Sequence, residues 1–240
     1  MIIIYIPLYY NYIIMSCSRI VLVLDASGSM SSQADDIVGS LNETIKEQRR
    51  SMPYDTTTMF SVILFSSEVA SPINHKLCDI PFFRSCDYKP NGSTALYDAI
   101  GLTIERYKDE RNVIFLIMTD GQENASKHYK YSHITDMIKK IKDTKNWNFI
   151  YLSEDIETSK QGSSIGLDSF SKNCNNIMTG KKNLGFTLAN TYCQQAISKM
   201  RQGESDVKIN IEQPQYRKSS SPGVASSVPS FEKYLHPFRI

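Results

Sequence analysis

The sequence predicts a doubly wound α/β domain, with a mostly parallel β-sheet, one antiparallel edge strand and helices on both faces. Two observations lead to this fold class. Apolar runs of strand length alternate with stretches of helical periodicity along most of the chain. The first run, residues 20–24, is continuously apolar, which is typical of a parallel strand buried on both faces. With 41% apolar residues among 240, the chain can form a sizeable core.

Strands and helices are expected to follow each other in regular order. Apolar, β-branched runs predict strands over residues 20–24, 57–66, 112–118 and 147–152. Helical spacing of apolar residues predicts helices over residues 32–50, 94–108, 132–142 and 184–201, with a further helical stretch toward residue 164. Weaker runs predict an antiparallel edge strand over residues 68–73, broken by Pro72, and a last short strand over residues 167–170.

Polar side chains follow the first central strand at once. Asp25, Ser27 and Ser29 alternate along the loop at its carboxyl end, the edge where open α/β sheets hold ligands. One carboxylate and two hydroxyls suit a hard divalent cation, above all Mg²⁺, which prefers oxygen ligands and retains some of its waters. Because three oxygens do not complete its shell, more donors are needed. The Thr94 hydroxyl and the Asp120 carboxylate, at the end of the next central strand, are such donors.

Three separated segments together resemble the von Willebrand factor A family. They are DASGSM at residues 25–30, GSTALYDAIG at residues 92–101 and IMTDG at residues 117–121. The resemblance covers residues 18–156 and implies a Rossmann-like fold with a metal-ion-dependent adhesion site. It implies that Mg²⁺, with Mn²⁺ and Ca²⁺ as alternatives, is bound directly or through water by Ser27, Ser29 and Thr94, and mainly through water by Asp25 and Asp120.

The same resemblance implies a function. Because hydroxyl ligands are neutral, they do not cancel the positive charge of the metal. An Asp or Glu side chain of a protein partner can then bind the metal at its open coordination position. We therefore expect a Mg²⁺-dependent protein-protein interaction module. A structural component of a larger assembly and a metal-dependent hydrolase are the alternatives. We do not expect an enzyme, because the motifs place no histidine, lysine or cysteine beside the site and match neither G-x-S-x-G nor D-x-D.

Further polar residues lie near the predicted site. Asp98, in the first turn of the helix over residues 94–108, either supports the metal ligands or only complements the helix dipole. Glu123 and Asn124 either touch a ligand or belong to a solvated loop. The helix that starts at Thr94 is expected to offer free N–H groups to an incoming anion.

The net charge and the cysteine content restrict the kinds of partner, metal site and disulfide that are expected. A formal net charge of +2, without a nucleic-acid motif, predicts no nucleic-acid partner. Five cysteines without C-x-x-C spacing argue against zinc and against a dense disulfide framework. Free intracellular thiols are expected, and a Cys78–Cys86 bridge is the alternative. Because no signal peptide is recognisable, we expect a cytoplasmic location.

The chain is expected to divide into three parts. Residues 1–17 form an apolar leader outside the fold. Membrane contact through residues 1–14 is the alternative, although they are shorter than the ~20 residues that cross a bilayer. Residues 18–203 form the α/β domain. Residues 204–240, which contain a Ser/Pro-rich stretch, form a largely disordered tail.

Overall fold

The computed structural model describes residues 18–51, 53, 55–168, 173–178, 191, 194–200 and 204. The chain divides into two compact units, Met1–Ile209 and Asn210–Ile240, and all described residues lie in the first. The predicted apolar leader, and the predicted tail apart from Glu204, therefore lie outside the described residues. Within the described part of the chain, no helix combines the length and apolar character needed to span a membrane.

Six strands form one sheet. In chain order they are β1 (Arg19–Asp25), β2 (Met59–Phe65), β3 (Ile73–Lys76), β4 (Val113–Thr119), β5 (Trp147–Ser153) and β6 (Cys174–Met178), and across the sheet their order is β3-β2-β1-β4-β5-β6. All neighbours are parallel except β2 and β3, which pair antiparallel. The predicted mostly parallel sheet with one antiparallel edge strand is confirmed.

Helices cover both faces of this sheet. They are α1 (Ala34–Ser51), α2 (Leu96–Tyr107), α3 (Tyr131–Thr144) and α4 (Ile156–Ser164), followed by a helical segment at residues 194–200. Buried side chains of α2 and α3 pack together with Val21 and Val23 on one face. The buried apolar side chains of α1 lie outside that cluster and pack on the opposite face. The doubly wound α/β fold class is therefore confirmed.

The antiparallel edge strand lies later in the chain than predicted. It begins at Ile73 instead of residue 68. Pro72 has no N–H group to donate to a β-ladder, and the residues before it form a turn in which Ser66 N–H donates to Glu68 O (2.9 Å). Within the predicted range, Val69 already forms an isolated antiparallel bridge with Phe65 of β2, and Ala70 N–H donates to Leu64 O (2.9 Å), but the continuous ladder begins only after the proline.

The last strand is also displaced. It begins at Cys174 instead of residue 167. Gly166 has a φ of +91° and turns the chain after α4, and Leu167 N–H then donates to Gly162 O (3.1 Å). Leu167 is buried, but it fills the core from this turn and not from a strand.

The segment between β3 and α2 runs back along α1. Arg49, near the end of α1, donates to the backbone oxygen of Leu77 (Nε–O 2.8 Å). Asp35, in the first turn of α1, accepts a hydrogen bond from the Ser85 hydroxyl (2.9 Å). The segment is therefore anchored at both ends of the helix.

Two cysteines directly follow these anchored residues. Cys78 and Cys86 are both exposed, and both are free thiols. The α1 residues that anchor them, 35 and 49, are about 21 Å apart along a helix axis. Because a disulfide needs Cα atoms within about 7 Å, the alternative of a Cys78–Cys86 bridge does not fit this arrangement.

The strand order reverses between β1 and β4, since β2 lies on one side of β1 and β4 on the other. Open α/β sheets bind ligands at this point, beyond the carboxyl ends of the strands. Leu24 pairs with Met118 in the register, so the residues that follow, Asp25 and Thr119, lie at the same level. The fold thus brings the ends of two distant segments together.

Candidate metal centre

Three loops meet beyond the carboxyl ends of β1 and β4. The first follows Asp25 and passes into a short 3-10 helix at Gly28–Gln33. The second leads into α2 and carries Thr94, and the third follows β4 and carries Asp120. The five residues predicted to bind a metal all lie at this junction.

Backbone hydrogen bonds fix the first loop against the second. Gly28 N–H donates to Gly92 O (3.0 Å), and Asn91 N–H donates to Ala26 O (2.8 Å). Gly92 has a φ of +72°, and a Cβ there would lie 2.5 Å from the Ser67 hydroxyl oxygen. Only glycine fits this position without strain, so the glycine before Ser-Thr in the second segment has a structural role.

Asp25 is the most buried acid of the site, with a relative exposure of 0%. Its Oδ1 accepts a hydrogen bond from Ser27 N–H (2.7 Å), and its Oδ2 accepts one from the Thr119 hydroxyl (2.6 Å). Burial raises the pKa of Asp25 above the ordinary 3.8, the Thr119 and Ser27 bonds oppose that shift, and the negative charge of Asp120 adds to it. Two dipoles therefore hold the carboxylate in place.

A chain of hydroxyls connects the first loop with the third. The Ser27 and Ser29 hydroxyl oxygens lie 3.0 Å apart, and the Ser29 hydroxyl donates to Asp120 Oδ1 (2.6 Å). Ser27 is buried and Ser29 is exposed, so the chain leads from the interior to the surface. These three side chains and that of Asp25 thus converge on one side of the junction.

Thr94 completes the cluster from the second loop. The residue is 3% exposed, and its hydroxyl makes no hydrogen bond to any residue of the described chain. A Cβ on Gly121 would lie 2.9 Å from Thr94 Oγ1 and 3.7 Å from Asp25 Oδ2. The threonine hydroxyl and the buried carboxylate therefore face the same small volume, which the glycine leaves open.

No cation among the described residues balances these acids. Within the described residues, no lysine, arginine or histidine forms an ion pair with Asp25 or Asp120. A buried carboxylate without a counter-charge is costly, because burial removes its hydration. The site therefore contains two acids for which the described chain supplies only hydroxyl and N–H dipoles.

The donor set fits a hard cation. It consists of hydroxyl and carboxylate oxygens, the ligands that Mg²⁺ prefers, and the Thr94 hydroxyl has no hydrogen-bond partner among the described residues. In the described part of the chain, no three His, Cys, Asp or Glu side chains group around a common metal position. An ion at this junction would therefore depend on the hydroxyls of Ser27, Ser29 and Thr94. Their role as metal ligands, with Asp25 and Asp120, stays a prediction.

The expectation of a free α2 N-terminus is wrong, because the third loop caps it. Tyr97 N–H donates to Glu123 Oε2 (2.8 Å), and Asp98 N–H donates to the Ser126 hydroxyl (2.9 Å). Just before the helix, Thr94 N–H donates to Asn124 Oδ1 (2.8 Å). These N–H groups are therefore already used inside the protein and are not available to an incoming anion.

Glu123 lies in a partly exposed loop, as one of the two roles considered for it predicts, but its carboxylate has partners within the protein. Its carboxylate accepts four hydrogen bonds, which come from the backbone N–H of Tyr97, Ala125 and Ser126 and from the Ser126 hydroxyl. The neighbouring residues Gln122 and Asn124 are exposed, so the loop is solvated, whereas the half-buried Glu123 carboxylate is bonded within the protein. This carboxylate therefore caps the N-terminal end of α2. Asn124 likewise supports this helix end through Thr94.

Asp98 lies in the first turn of α2, where it can complement the helix dipole as expected, and it has a further role in the structure. It is 5% exposed, and its carboxylate accepts hydrogen bonds from the N–H groups of Lys127 (2.8 Å), His128 (2.9 Å) and Tyr129 (2.8 Å). The acid therefore fixes the far end of the third loop to α2. It supports the site only by holding the loop that carries Asp120.

Two hydrogen-bonding residues were not predicted from the sequence. Thr119 bonds the Asp25 carboxylate, and the Tyr88 hydroxyl donates to the Asp25 backbone oxygen (2.6 Å). Burial raises the pKa of Tyr88, and the charges of Asp25 and Asp120 add to this shift, so the phenol stays a donor. The register β1–β4 would have revealed Thr119, whereas no local pattern points to Tyr88.

Comparisons with known proteins give matches at the level of structure. No protein-family model and no curated protein sequence matches this chain. Among solved structures, the minor pilin PilB from Streptococcus sanguinis matches with a TM-score of 0.55 and 10% identity over 78% of this chain. The pilus adhesin SpaC from Lactobacillus rhamnosus GG, in an open conformation, matches with a TM-score of 0.54 and 13% identity over 77% of this chain.

The matched structures also include a von Willebrand factor type A protein from Catenulispora acidiphila, with a TM-score of 0.49 and 11% identity over 76% of this chain. The present chain spans 62% of the pilin, 30% of the adhesin and 43% of the Catenulispora protein. The matches to the pilin and the adhesin show a shared fold and nothing beyond it. The TM-score of the match to the Catenulispora protein is too low to support a conclusion.

Proposed function

We propose that this domain is a Mg²⁺-dependent protein-interaction module that binds an acidic side chain of a partner protein at an open position of the metal. The observation that carries the proposal is the unbalanced charge of Asp25. This carboxylate is fully buried, lies near the charge of Asp120 and is held only by dipoles of the described chain. A divalent cation would supply the counter-charge that the described side chains lack.

The proposed division of roles follows the resemblance to the von Willebrand factor A family. The hydroxyls of Ser27, Ser29 and Thr94 would hold the ion directly or through water, and Asp25 and Asp120 would hold it mainly through water. Mg²⁺ is the proposed ion, with Mn²⁺ and Ca²⁺ as alternatives. When bound with such neutral ligands, the ion supplies a positive charge that an outside carboxylate can approach.

The surroundings of the site support a strict dependence on metal. The exposed residues Gly28, Ser29, Ser93 and Gln122 on the three loops are uncharged. At the N-terminus of α2, the N–H groups of Tyr97 and Asp98 are used by the third loop and are not available to an anion. Without a metal, an acidic side chain that reached the site itself would meet the negative charges of Asp25 and Asp120, whereas the exposed Lys89 and Lys127 lie elsewhere on the second and third loops. The partner's carboxylate would therefore be repelled in the absence of the ion.

Glycine-to-alanine substitutions test the proposal with one added methyl group each. Gly121→Ala places a methyl 2.9 Å from Thr94 Oγ1, in the volume proposed for the ion, and should abolish metal-dependent capture of partner proteins. Thr94→Ala, which removes the unused hydroxyl, should have the same effect. The measurement is affinity capture on immobilised protein in Mg²⁺ and in EDTA, followed by identification of the captured proteins.

Gly39→Ala is the matched control, because a Cβ at this α1 position meets nothing within 4 Å. This variant should capture the same proteins as the parent, and all captured proteins should be released by EDTA. Capture that persists in EDTA, or a Gly121→Ala variant that captures the parent's set in Mg²⁺, would contradict the proposal.

Two further expectations belong to the proposal. We propose a binding module and not an enzyme, and an assay of generic phosphate and ester hydrolysis in Mg²⁺ should show no activity that Asp25→Ala removes. The cytoplasmic location expected from the sequence also stays a prediction. Because two matched structures are a pilin and a pilus adhesin, fractionation of the producing cells is its direct test.

A further inference from the structure

Thr119 is the last residue of β4 and lies beside the site without belonging to the predicted ligand set. It is 2% exposed and stands at the level of Asp25 on the neighbouring parallel strand. Parallel neighbours lie only about 4.8 Å apart, so their side chains on one face are in reach of each other. The motif residue before Asp120 therefore points to the buried acid of β1.

The hydroxyl of Thr119 has a defined direction. Gly121 N–H donates to Thr119 Oγ1 (3.2 Å), and Thr119 Oγ1 lies 2.6 Å from Asp25 Oδ2 and 3.0 Å from Gly121 O. A hydroxyl has a single proton, and a carboxylate is a stronger acceptor than a peptide oxygen. The shorter distance agrees with this choice, so the proton of Thr119 goes to Asp25.

The same hydroxyl joins two parts of the site. One partner, Asp25, ends β1, and the other, Gly121, leaves open the volume that Thr94 Oγ1 and Asp25 Oδ2 face. A change at Thr119 would free one oxygen of the buried carboxylate to rotate. It would also leave Gly121 N–H without this acceptor.

We infer that Thr119 is a positioning residue of the metal centre, whose hydroxyl orients the Asp25 carboxylate and fixes the turn at Gly121. This inference rests on the proposed function, since it assumes that the cluster binds a divalent cation. The hydroxyl itself does not bind the ion. It acts through Asp25, as the hydrogen-bonded partners of metal ligands commonly do.

The test is Mn²⁺ affinity, measured by electron paramagnetic resonance on the full chain without any partner. Thr119→Val keeps the shape of the side chain but removes the hydroxyl, and it should weaken Mn²⁺ binding by about 10- to 100-fold. Thr119→Ser restores the hydroxyl and should bind within about three-fold of the parent. A purely structural role of the methyl group would give the opposite ranking of these two variants.

Thr103→Val is the matched control. Thr103 is also 2% exposed, but its hydroxyl donates within α2 to Ala99 O (2.6 Å), away from the site. This variant should bind Mn²⁺ like the parent. Circular dichroism checks that each variant is folded, and Thr119→Ala, with the same expected loss, replaces the valine variant if the latter does not fold.

The outcomes separate the inference from the proposed function. A parent that binds Mn²⁺ and a Thr119→Val variant that binds within two-fold of it would overturn the inference alone. A serine variant as weak as the valine variant would do the same, because the hydroxyl would then not matter. A parent that does not bind Mn²⁺ would overturn the proposed function and the inference with it.

Discussion

The two ends of β1 each carry a buried charged residue, and the described residues supply a counter-charge to only one of them. Arg19 begins the strand with 7% exposure, and Asp25 ends it with 0%. The guanidinium of Arg19 forms a two-point ion pair with Glu110, with distances of 2.7 Å from Nε to Oε2 and 2.8 Å from Nη2 to Oε1. It also lies 4.4 Å from the centroid of the Tyr107 ring.

Further partners surround the arginine. Its Nη1 donates to the Ser61 hydroxyl (2.7 Å) and to Asn74 Oδ1 (2.6 Å), which join β1 with β2 and β3. Charge, hydrogen bonds and an aromatic face therefore compensate the desolvation of this cation. Within the described chain, the buried charge at the amino end of β1 is therefore compensated.

The carboxyl end is different. Asp25 receives hydrogen bonds from Ser27 and from the Thr119 hydroxyl, and the charge that shifts its pKa is the negative one of Asp120. The buried charge of Arg19 thus has a counter-charge among the described residues, whereas the buried charge of Asp25 has none. An arrangement left incomplete at a ligand-binding edge of the sheet supports an external cation as the missing partner.

The largest expected effect comes from removing the balance at the amino end. Glu110→Ala would leave Arg19 buried without its counter-charge and should lower the free energy of unfolding by about 3 kcal/mol. The side chain of Glu110 is 32% exposed, which places the effect at the low end for buried pairs. Urea unfolding monitored by circular dichroism measures it.

Glu105→Ala serves as the control for this prediction. Glu105 pairs with Lys108 on the surface of α2, with the two side chains 53% and 48% exposed. Its removal should change the free energy of unfolding by no more than about 0.5 kcal/mol. Equal losses for Glu105→Ala and Glu110→Ala would mean that the amino end does not depend on its ion pair.

A smaller effect should appear in the pH dependence of stability. Asp55 precedes β2, toward the amino end of the sheet. Its partial burial opposes ionisation, but its carboxylate accepts four hydrogen bonds from Thr57 and Thr58. These bonds outweigh the effect of burial and lower the pKa of Asp55 below 3.8. A lowered folded-state pKa stabilises the protein above the unfolded value, and the stabilisation is lost as the pH falls through the folded value. Asp55→Asn should therefore cost about 1 kcal/mol at pH 7 and progressively less below about pH 4.

Unfolding of the parent and of Asp55→Asn across this pH range measures the difference. Asp136→Asn, on the exposed side of α3, makes the same change in charge and should give no such trend. A gap between the parent and Asp55→Asn that stays constant down to pH 2 would contradict the prediction. The direction is opposite to that of Asp25, whose pKa burial raises.

The central strands could be predicted from the sequence because burial on both faces demands a continuous apolar run. The edge strands β3 (INHK) and β6 (CNNIM) lack such a run. Each has a neighbour on only one side, so pairing and not burial decides where it begins. Pro72 and Gly166 moved the starts of these strands to later positions.

The site shows the same division between local and distant causes. The spacing of Asp25, Ser27 and Ser29 and the ends of two later segments sufficed to predict which residues meet. The bond from Tyr88 to Asp25 could not be predicted, because it depends on the path of an irregular segment along α1. Glu123 lies 26 residues after Tyr97, the α2 residue that it caps. The sequence of the helix itself therefore gave no indication of this cap.

Asp25→Asn isolates the charge at the carboxyl end of β1. The amide oxygen can still accept from Ser27 N–H, and the amide NH₂ can donate to Thr119 Oγ1. The Thr119 proton can then turn to Gly121 O, which lies 3.0 Å away. The substitution therefore removes the negative charge while the hydrogen bonds rearrange within the existing geometry.

The most direct test of the account is urea unfolding of the parent and of Asp25→Asn, each in Mg²⁺ and in EDTA. The stability of the parent should rise with Mg²⁺ by about 1.4 kcal/mol for each tenfold increase above the dissociation constant. Asp25→Asn should not respond to Mg²⁺, and in EDTA it should be at least as stable as the parent. Equal stability of the parent in Mg²⁺ and in EDTA would contradict the account.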